Sequence, residues 1–325
     1  MKAPWVTYRP QLKVLDCTVR DGGLVNDHHF DDKLVKAIYD TCVEAGLDYM
    51  EIGYKNSERL FPRDKFGPFR RSAEEDIRRV IGDHDSESTG LKLSAMADAG
   101  KSDWKTDILP KEQSVLDMIR VACYVHQIPE AVDMICDAHE KGYETTCNLM
   151  AISTVQEAEI DQALETIAAT PTDAVVVVDS FGSLYREQIE ILINKYLKAV
   201  KDTGKDVGIH AHNNQQLAFA NTIESIIMGA NIADASMAGL GRGAGNCPME
   251  LLIGFLRNPK FNRRPIYKLL QDHFVKLREE IEWGPLIPYN ITGQHNQHPR
   301  EAMALRAGPD KDNYLEFYDR IVGDI

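Results

Sequence analysis

Two histidines one residue apart, His210 and His212 in the run GIHAHNN, are the strongest chemical feature of the chain. On a strand, residues i and i+2 project from one face, so both imidazoles would enter the same space. Paired neutral imidazoles suit Zn, Mn, Fe or Co, and a carboxylate from another strand end would complete a facial ligand set with open positions. Asp21, within DCTVRDGG at residues 16–23, is the best carboxylate for that task. Beside it, Arg20 can present a planar fork to a carboxylate or an enolate. Satisfied structural histidines and a salt-bridged loop are the ordinary alternatives for each motif alone, and only their combination points to a metal centre.

Further polar residues follow apolar runs. Glu51 lies in the second run, Asn148 in CNLMAIS, Asp179 and Ser180 after VVVV, and Asn246 closes GLGRGAGN at residues 239–246. That glycine loop lacks the Lys-Ser/Thr ending of a phosphate loop and follows the last strand instead of opening the chain. A loop that lets backbone and Asn246 approach a metal or substrate fits it better, with simple turn formation as the alternative. Glu51 is expected either to bind a water or substrate hydroxyl or to pair with a buried arginine. Asn148 and Ser180 are candidates for substrate binding, with a structural hydrogen bond as the ordinary role of Asn148.

The elements that must position these groups are eight short β-rich runs, at 13–17, 49–52, 91–96, 118–122, 145–150, 174–178, 207–211 and 231–235. Helical patterns fall at 31–45, 73–81, 129–141, 155–169, 185–203 and 215–228, with a last one near 249–256. Several close on glycine (Gly46, Gly142, Gly204, Gly229), as helix C-caps do. Eight alternations by about residue 235 predict an α/β fold, a TIM (β/α)8 barrel over 1–260, with an open doubly wound sheet as runner-up. In such a barrel, functional groups gather at the C-terminal strand ends. Beyond Phe261, Ile266, Leu269, Leu270, Phe274, Leu277 and Ile281 mark an amphipathic helix, followed by a Gly/Pro/His-rich loop and a polar helical tail. Residues 261–325 are therefore expected to form an appended C-terminal helical extension.

Composition narrows the function classes. Hydrophobic residues at 43% and charged residues at 27% are those of a folded globular chain. With 37 Lys and Arg against 50 Asp and Glu, the net charge is −13, and the only basic clusters are short ones such as Arg70-Arg71 and Arg263-Arg264. Neither nucleic acid nor an anionic membrane is an expected partner. No apolar run approaches the roughly 18 residues of a membrane span, and the first residues lack the apolar stretch of a signal peptide, so a cytoplasmic location is expected. The six cysteines form no CxxC pair and are expected to be reduced packing residues.

In order, DCTVRDGG, AGLDYMEIG, GIHAHNN and GLGRGAGN resemble the DRE-TIM metallolyase superfamily, over residues 12–256. That superfamily includes HMG-CoA lyase, isopropylmalate and homocitrate synthases, and 4-hydroxy-2-oxovalerate aldolase. The resemblance implies a divalent metal, Mn or Mg foremost with Zn or Co as options, bound by Asp21, His210 and His212. It also implies that Arg20 stabilises an enolate and that Asn246 is a further ligand, as in the HMG-CoA lyase branch. The glycine loop, preceded by DASMA, looks closest to the 4-hydroxy-2-oxovalerate aldolases, which implies a metal-dependent, class II-like aldolase acting on a small 2-oxo acid. Gly241-Arg242-Gly243 and Gly23-Leu24 replace the acidic residues typical of the synthases, and Cys247 follows Asn246 instead of preceding the Gly-Asn pair as in HMG-CoA lyase.

One departure matters for mechanism. The histidine that serves as base in the aldolase branch falls on Leu24, which cannot move a proton. Asp27, His28 and His29 follow closely and could replace it, as could Tyr289, His295 and His298 in YNITGQHNQHP. Solvated loop positions are the ordinary alternative for these histidines, and Tyr289 matches the family tyrosine only loosely. Leu24 also motivates a non-catalytic, metal-holding subunit as one alternative function; a Claisen-type acyltransferase joining an acyl-CoA to a 2-oxo acid is the other. A homo-oligomer, such as a dimer through the C-terminal helices, is expected. An acylating aldehyde dehydrogenase partner is suggested by the resemblance without residue-level support.

Overall fold

The computed structural model describes residues 9–323. Eight parallel strands close into a barrel: β1 (Lys13–Asp16), β2 (Tyr49–Tyr54), β3 (Lys92–Asp98), β4 (Met118–Cys123), β5 (Glu144–Leu149), β6 (Ala174–Asp179), β7 (Asp206–Ala211) and β8 (Ile232–Ala235). The ring closes where β8 pairs with β1, from Lys13 opposite Ile232 to Asp16 opposite Ala235. Each expected strand is present with ends shifted by two residues at most.

Strand alternation decides what faces the barrel axis. In β7, Val207, Ile209 and Ala211 join the core beneath the helices, as do Ile119, Val121 and Cys123 in β4, Ala233 and Ala235 in β8, and Cys147 and Leu149 in β5. The residues between them must then point inward. Glu51, Arg120, Asn148, His210 and Asp234 all occupy such positions and all are buried. Leu15, Cys17, Tyr49 and Met118 form a separate small apolar cluster.

The helices follow from the same pattern. The first long one, Asp32–Ala45, starts where the Asp31 side chain accepts the Lys33 N–H and ends at Gly46, whose φ of +70° suits glycine. Its Leu34, Val35, Ile38, Cys42 and Ala45 supply the stripe that covers the barrel. The helix expected over 215–228 begins only at Ala218, because Asn213 to Gln216 turn first, with Gln216 at φ +62° and the Asn213 side chain accepting the Ala218 N–H.

Beyond residue 261 the chain does two things. Ile266, Leu269, Phe274 and Leu277, in a run of helix from Arg263 to Glu280 with a π-helical turn at Leu270–Phe274, are part of the main core. The helices Ile287–Gln294, Arg300–Ala307 and Tyr314–Gly323 instead share a small core of Tyr289, Ile291, Ala302, Phe317 and Ile321 that closes on Ala244 of the glycine loop. This second part therefore lies at the C-terminal mouth of the barrel. No helix among the described residues is long and apolar enough to cross a membrane, and all six cysteines are free, five of them buried.

Candidate active site

The chain after β1 turns at once into a short helix, Thr18–Gly22, which carries Arg20 and Asp21 over the barrel mouth. Asp21 Oδ2 lies 3.6 Å from His210 Nε2 and 3.5 Å from His212 Nε2. Ligand atoms of the three residues fall within 4.8 Å of one another, and all three side chains are buried. The tautomers follow from the partners. His210 Nδ1 donates to Asp234 Oδ2 at 3.1 Å and His212 Nδ1 donates to the Asp179 carbonyl at 3.0 Å, so both Nε2 atoms carry lone pairs. Neither Nε2 has a hydrogen-bond partner.

Asn246 completes the group. Its Nδ2 donates to Asp21 Oδ1 at 3.0 Å and to the Leu240 carbonyl at 3.1 Å, leaving Oδ1 buried without a partner. Gly245, at φ +83°, lets the loop fold tightly enough to present it, since a Cβ there would strike the Gly239 carbonyl. Two imidazole nitrogens, a carboxylate oxygen and an amide oxygen, three of them orphaned in a buried space, are a donor set that fits a divalent cation.

A second layer holds the first. Arg20 donates from Nε to Glu51 Oε2 at 2.6 Å and from Nη1 to Asp21 Oδ2 at 2.5 Å. Arg120 donates from Nη1 to Glu51 Oε2 at 3.2 Å and from Nη2 to Asp234 Oδ2 at 2.7 Å. Asp234 then accepts from His210, so the five charged groups form an arc from one side of the cluster to the other. Three carboxylates and two guanidiniums leave a net charge of 2 − 3 = −1, which a divalent cation reverses. Burial opposes ionisation of Asp21, but Arg20 prevails and holds its carboxyl well below the usual range. Asp234 is likewise lowered against burial, chiefly by Arg120.

A cavity of about 140 Å³ opens from this cluster. Arg20, Asp21, His210 and His212 line it, as do Asn148 and Ser180. Asn148 Oδ1 accepts from Thr146 while its Nδ2 is unpartnered, and Ser180 Oγ accepts the Ala151 N–H, leaving its hydroxyl proton available. Asp179 turns instead into the loop, where its carboxylate accepts the N–H groups of Ser183 and Leu184; burial pushes its pKa up to about 6.

Four expected site residues lie elsewhere. Glu51 does not line the cavity; its place is between the two arginines, so the ion-pair alternative describes it. His29 is exposed and bonds the Lys65 carbonyl. Tyr289 packs in the C-terminal core against Gly243, its pKa raised to about 12 by burial. His28 is fully buried behind the Gly23 turn, where a Cβ on Gly23 would overlap its ring, and its Nε2 donates to the Arg20 carbonyl at 3.0 Å. Burial, then Arg70, pushes its pKa down to about 3. A histidine held neutral this way loses stability as pH falls: the unfolded chain takes up a proton near pH 6.5, the folded one only near 3. We expect stability to drop across that window by up to about 1.4 kcal/mol per pH unit from this group. Denaturant titrations of the wild type and His28→Asn, which tolerates the φ of +64°, should differ in slope there and converge in shape above about pH 7. Equal slopes would show that His28 is not held neutral.

Sequence reasoning passed over Tyr54, Arg70, Asp98, Lys101 and Arg242, which also line the cavity, although Asp98 sits at a strand end where such residues are sought. From the C-terminal segment, His298 and Arg300 reach it while His295 does not.

The HMGL-like family model matches residues 111–271. A 4-hydroxy-2-oxovalerate aldolase of Pelotomaculum thermopropionicum is 28% identical over 248 residues, 76% of this chain and 70% of that protein. An oxaloacetate decarboxylase of Mycobacterium tuberculosis is 28% identical over 252 residues, 77% and 71% of the two chains. Among solved structures, the N-terminal domain of a Bacteroides vulgatus protein described as an aldolase superposes with a TM-score of 0.78 at 26% identity, covering 97% of this chain and all of that one. A chain with this barrel, these motifs and these relatives carries an HMGL-like domain of the DRE-TIM superfamily.

Proposed function

We propose that this protein is a divalent-metal-dependent carbon-carbon lyase of the aldolase type, cleaving a 4-hydroxy-2-oxo acid to pyruvate and an aldehyde. The observation that carries this reading is the convergence of Asp21, His210 and His212 beside an arginine whose Nη2 is buried and unpartnered. The aldolase and decarboxylase named above act, by those names, on 2-oxo acids, which supports the same substrate class. A divalent cation, Mn or Mg before Zn or Co, would be held by Asp21, His210, His212 and Asn246 and would supply Lewis acidity at the carbonyl and carboxylate oxygens of the 2-oxo acid.

The chain's own groups account for the remaining steps. Cleavage requires the C4 hydroxyl proton to leave, the C4 carbonyl to form and the C3–C4 bond to break, its electron pair passing to C3 as an enolate. Arg20, pinned by Glu51, directs Nη2 at the developing oxyanion. Asn148 Nδ2 and the Ser180 hydroxyl are donors for substrate oxygens. Among the described residues, Asp98 and Asp21 are the only carboxylates lining the cavity, and with Asp21 committed to the ligand cluster, Asp98 takes the hydroxyl proton and returns it to C3 of the enolate, which gives pyruvate. His298 does not suit that role. Its Nδ1 accepts the Arg300 N–H, and burial with Arg242 pushes its pKa down to about 3, so it is a neutral donor. Leu24 then forms a wall of the cavity, and the missing base is replaced from β3.

Deuterium uptake at C3 of pyruvate, followed by NMR with Mn-, Mg-, Zn- or Co-loaded protein, tests enolate formation directly. Metal-dependent exchange and cleavage of 4-hydroxy-2-oxovalerate are expected. Asp98→Asn should lower kcat for cleavage by about 10²- to 10⁴-fold with metal content unchanged. Bound metal without exchange or cleavage would instead favour a non-catalytic metal-holding role, and thiol release from an acyl-CoA incubated with 2-oxo acids would favour the acyltransferase.

A further inference from the structure

We propose that the aldehyde half of the substrate is anionic, carrying a terminal carboxylate or phosphate that Arg242, Arg300 and Arg70 receive. This rests on the aldolase reading above and deepens it by naming the second substrate class.

The argument is one of unbalanced charge. Arg20, Arg70, Lys101, Arg242 and Arg300 line the cavity, against the two carboxylates Asp21 and Asp98. Arg20 is committed to Glu51 and Asp21, and Lys101 lies 3.5 Å from Asp98. Among the described residues, no ion pair within 4.0 Å involves Arg70, Arg242 or Arg300, although the chain carries a net charge of −13. Acidic partners are plentiful in this sequence, yet three arginines facing one small space have none.

Arg70 is the most informative of the three. It is only 8% exposed, and its guanidinium lies 4.6 Å from the Tyr54 ring centroid and 4.1 Å from that of Phe61. Its Nε and that of Arg242 are buried without a hydrogen-bond partner. A buried cation needs a partner and hydrogen bonds to offset its lost hydration, and a planar guanidinium fork matches the oxygens of a carboxylate or phosphate. Arg242 rides on the glycine loop after β8. Arg300 comes from the C-terminal segment beside His298, whose neutral ring adds a donor rather than a charge.

Charge bookkeeping leads to the same class of ligand. The lining residues sum to 5 − 2 = +3, and Glu51, Arg120 and Asp234 behind them add 1 − 2 = −1. A divalent cation raises the resulting +2 to +4. A substrate with one carboxylate compensates a single unit, whereas one with a second anionic group removes two or three. An uncharged aldehyde would leave the three arginines as they are.

Three substrates on one scaffold test this: 4-hydroxy-2-oxovalerate, 4-hydroxy-2-oxoglutarate and 4-hydroxy-2-oxo-5-phosphopentanoate. They release pyruvate with acetaldehyde, glyoxylate or glycolaldehyde phosphate, and differ only in the group on C4. With metal-loaded protein, kcat/KM for one or both anionic substrates should exceed that for the methyl compound by about 100-fold or more, and which one leads distinguishes carboxylate from phosphate. Arg300→Gln, at an exposed position where folding is not at risk, and Arg242→Gln should each reduce that preference by about 10- to 100-fold. Independently of turnover, calorimetry of inorganic phosphate with metal-free protein should show binding that either substitution weakens. Equal or faster cleavage of the methyl compound overturns the proposal, as does phosphate binding indifferent to both substitutions. If none of the three is cleaved with metal bound, the aldolase reading fails, and the phosphate titration still decides whether the anion site exists.

Discussion

His210→Ala is expected to remove tight metal binding and, with it, metal-dependent proton exchange at pyruvate C3, while the protein stays folded. The size of the effect can be bounded from the outer partners. An outer-layer residue that orients a ligand is commonly worth about 10- to 100-fold in metal affinity, so a directly coordinating nitrogen should cost at least about 100-fold. Asp234→Asn supplies the internal comparison, since it weakens the acceptor for His210 Nδ1 without removing Nε2; its loss should fall within that 10- to 100-fold range. Wild-type affinity should also fall as pH falls, because His210 must bind the cation unprotonated, and its neighbours Asp21 and Asp234 raise its proton affinity despite burial. Equilibrium dialysis with metal analysis, beside circular dichroism for fold, makes the measurement. Stoichiometric metal retained in folded His210→Ala would displace the centre from Asp21, His210 and His212.

How much of this was legible before the structure depends on which residues follow local rules. The strands were, because β-rich runs such as VVVV at 175–178 recur between helical patterns at a spacing that only parallel crossovers satisfy. Asp21, His210 and His212 were, because one lies in the turn that follows its strand and the other two follow strict alternation. Arg120 and Asp234 obey the same alternation, and the available signal was a charged residue at an inward position of an otherwise apolar barrel strand. Arg70, Arg242 and Arg300 belong to another category. Their meeting in one cavity depends on the paths of three separate segments, 55–72, 239–246 and 295–300, and no periodicity encodes a loop path. His28 illustrates the same limit from the other side: it follows Gly22 by only six positions, yet close packing against Gly23 carries it behind the site.

Arg120→Met is expected to have the largest effect on stability, a loss of about 3–5 kcal/mol in denaturant unfolding. Arg120 is completely buried, with Glu51 on one side and Asp234 on the other, both also completely inaccessible in their side chains. Removing the cation leaves Asp234 without its guanidinium and Glu51 with Arg20 alone, inside a barrel where water cannot replace the lost partner. Replacing the layer together, as Arg120→Met, Glu51→Leu and Asp234→Leu, should recover much of that stability, because isosteric apolar packing can match or exceed a buried ion-pair network. The same triple variant should bind metal poorly, since Arg20 loses its anchor and His210 its acceptor. A stable barrel with an impaired metal centre would show that the charged layer serves the geometry of the site above it. A triple variant that remains as unstable as Arg120→Met would mean that the layer also specifies the barrel itself, and metal affinity restored in it would remove the outer arc from the account of how His210 and Arg20 are aimed.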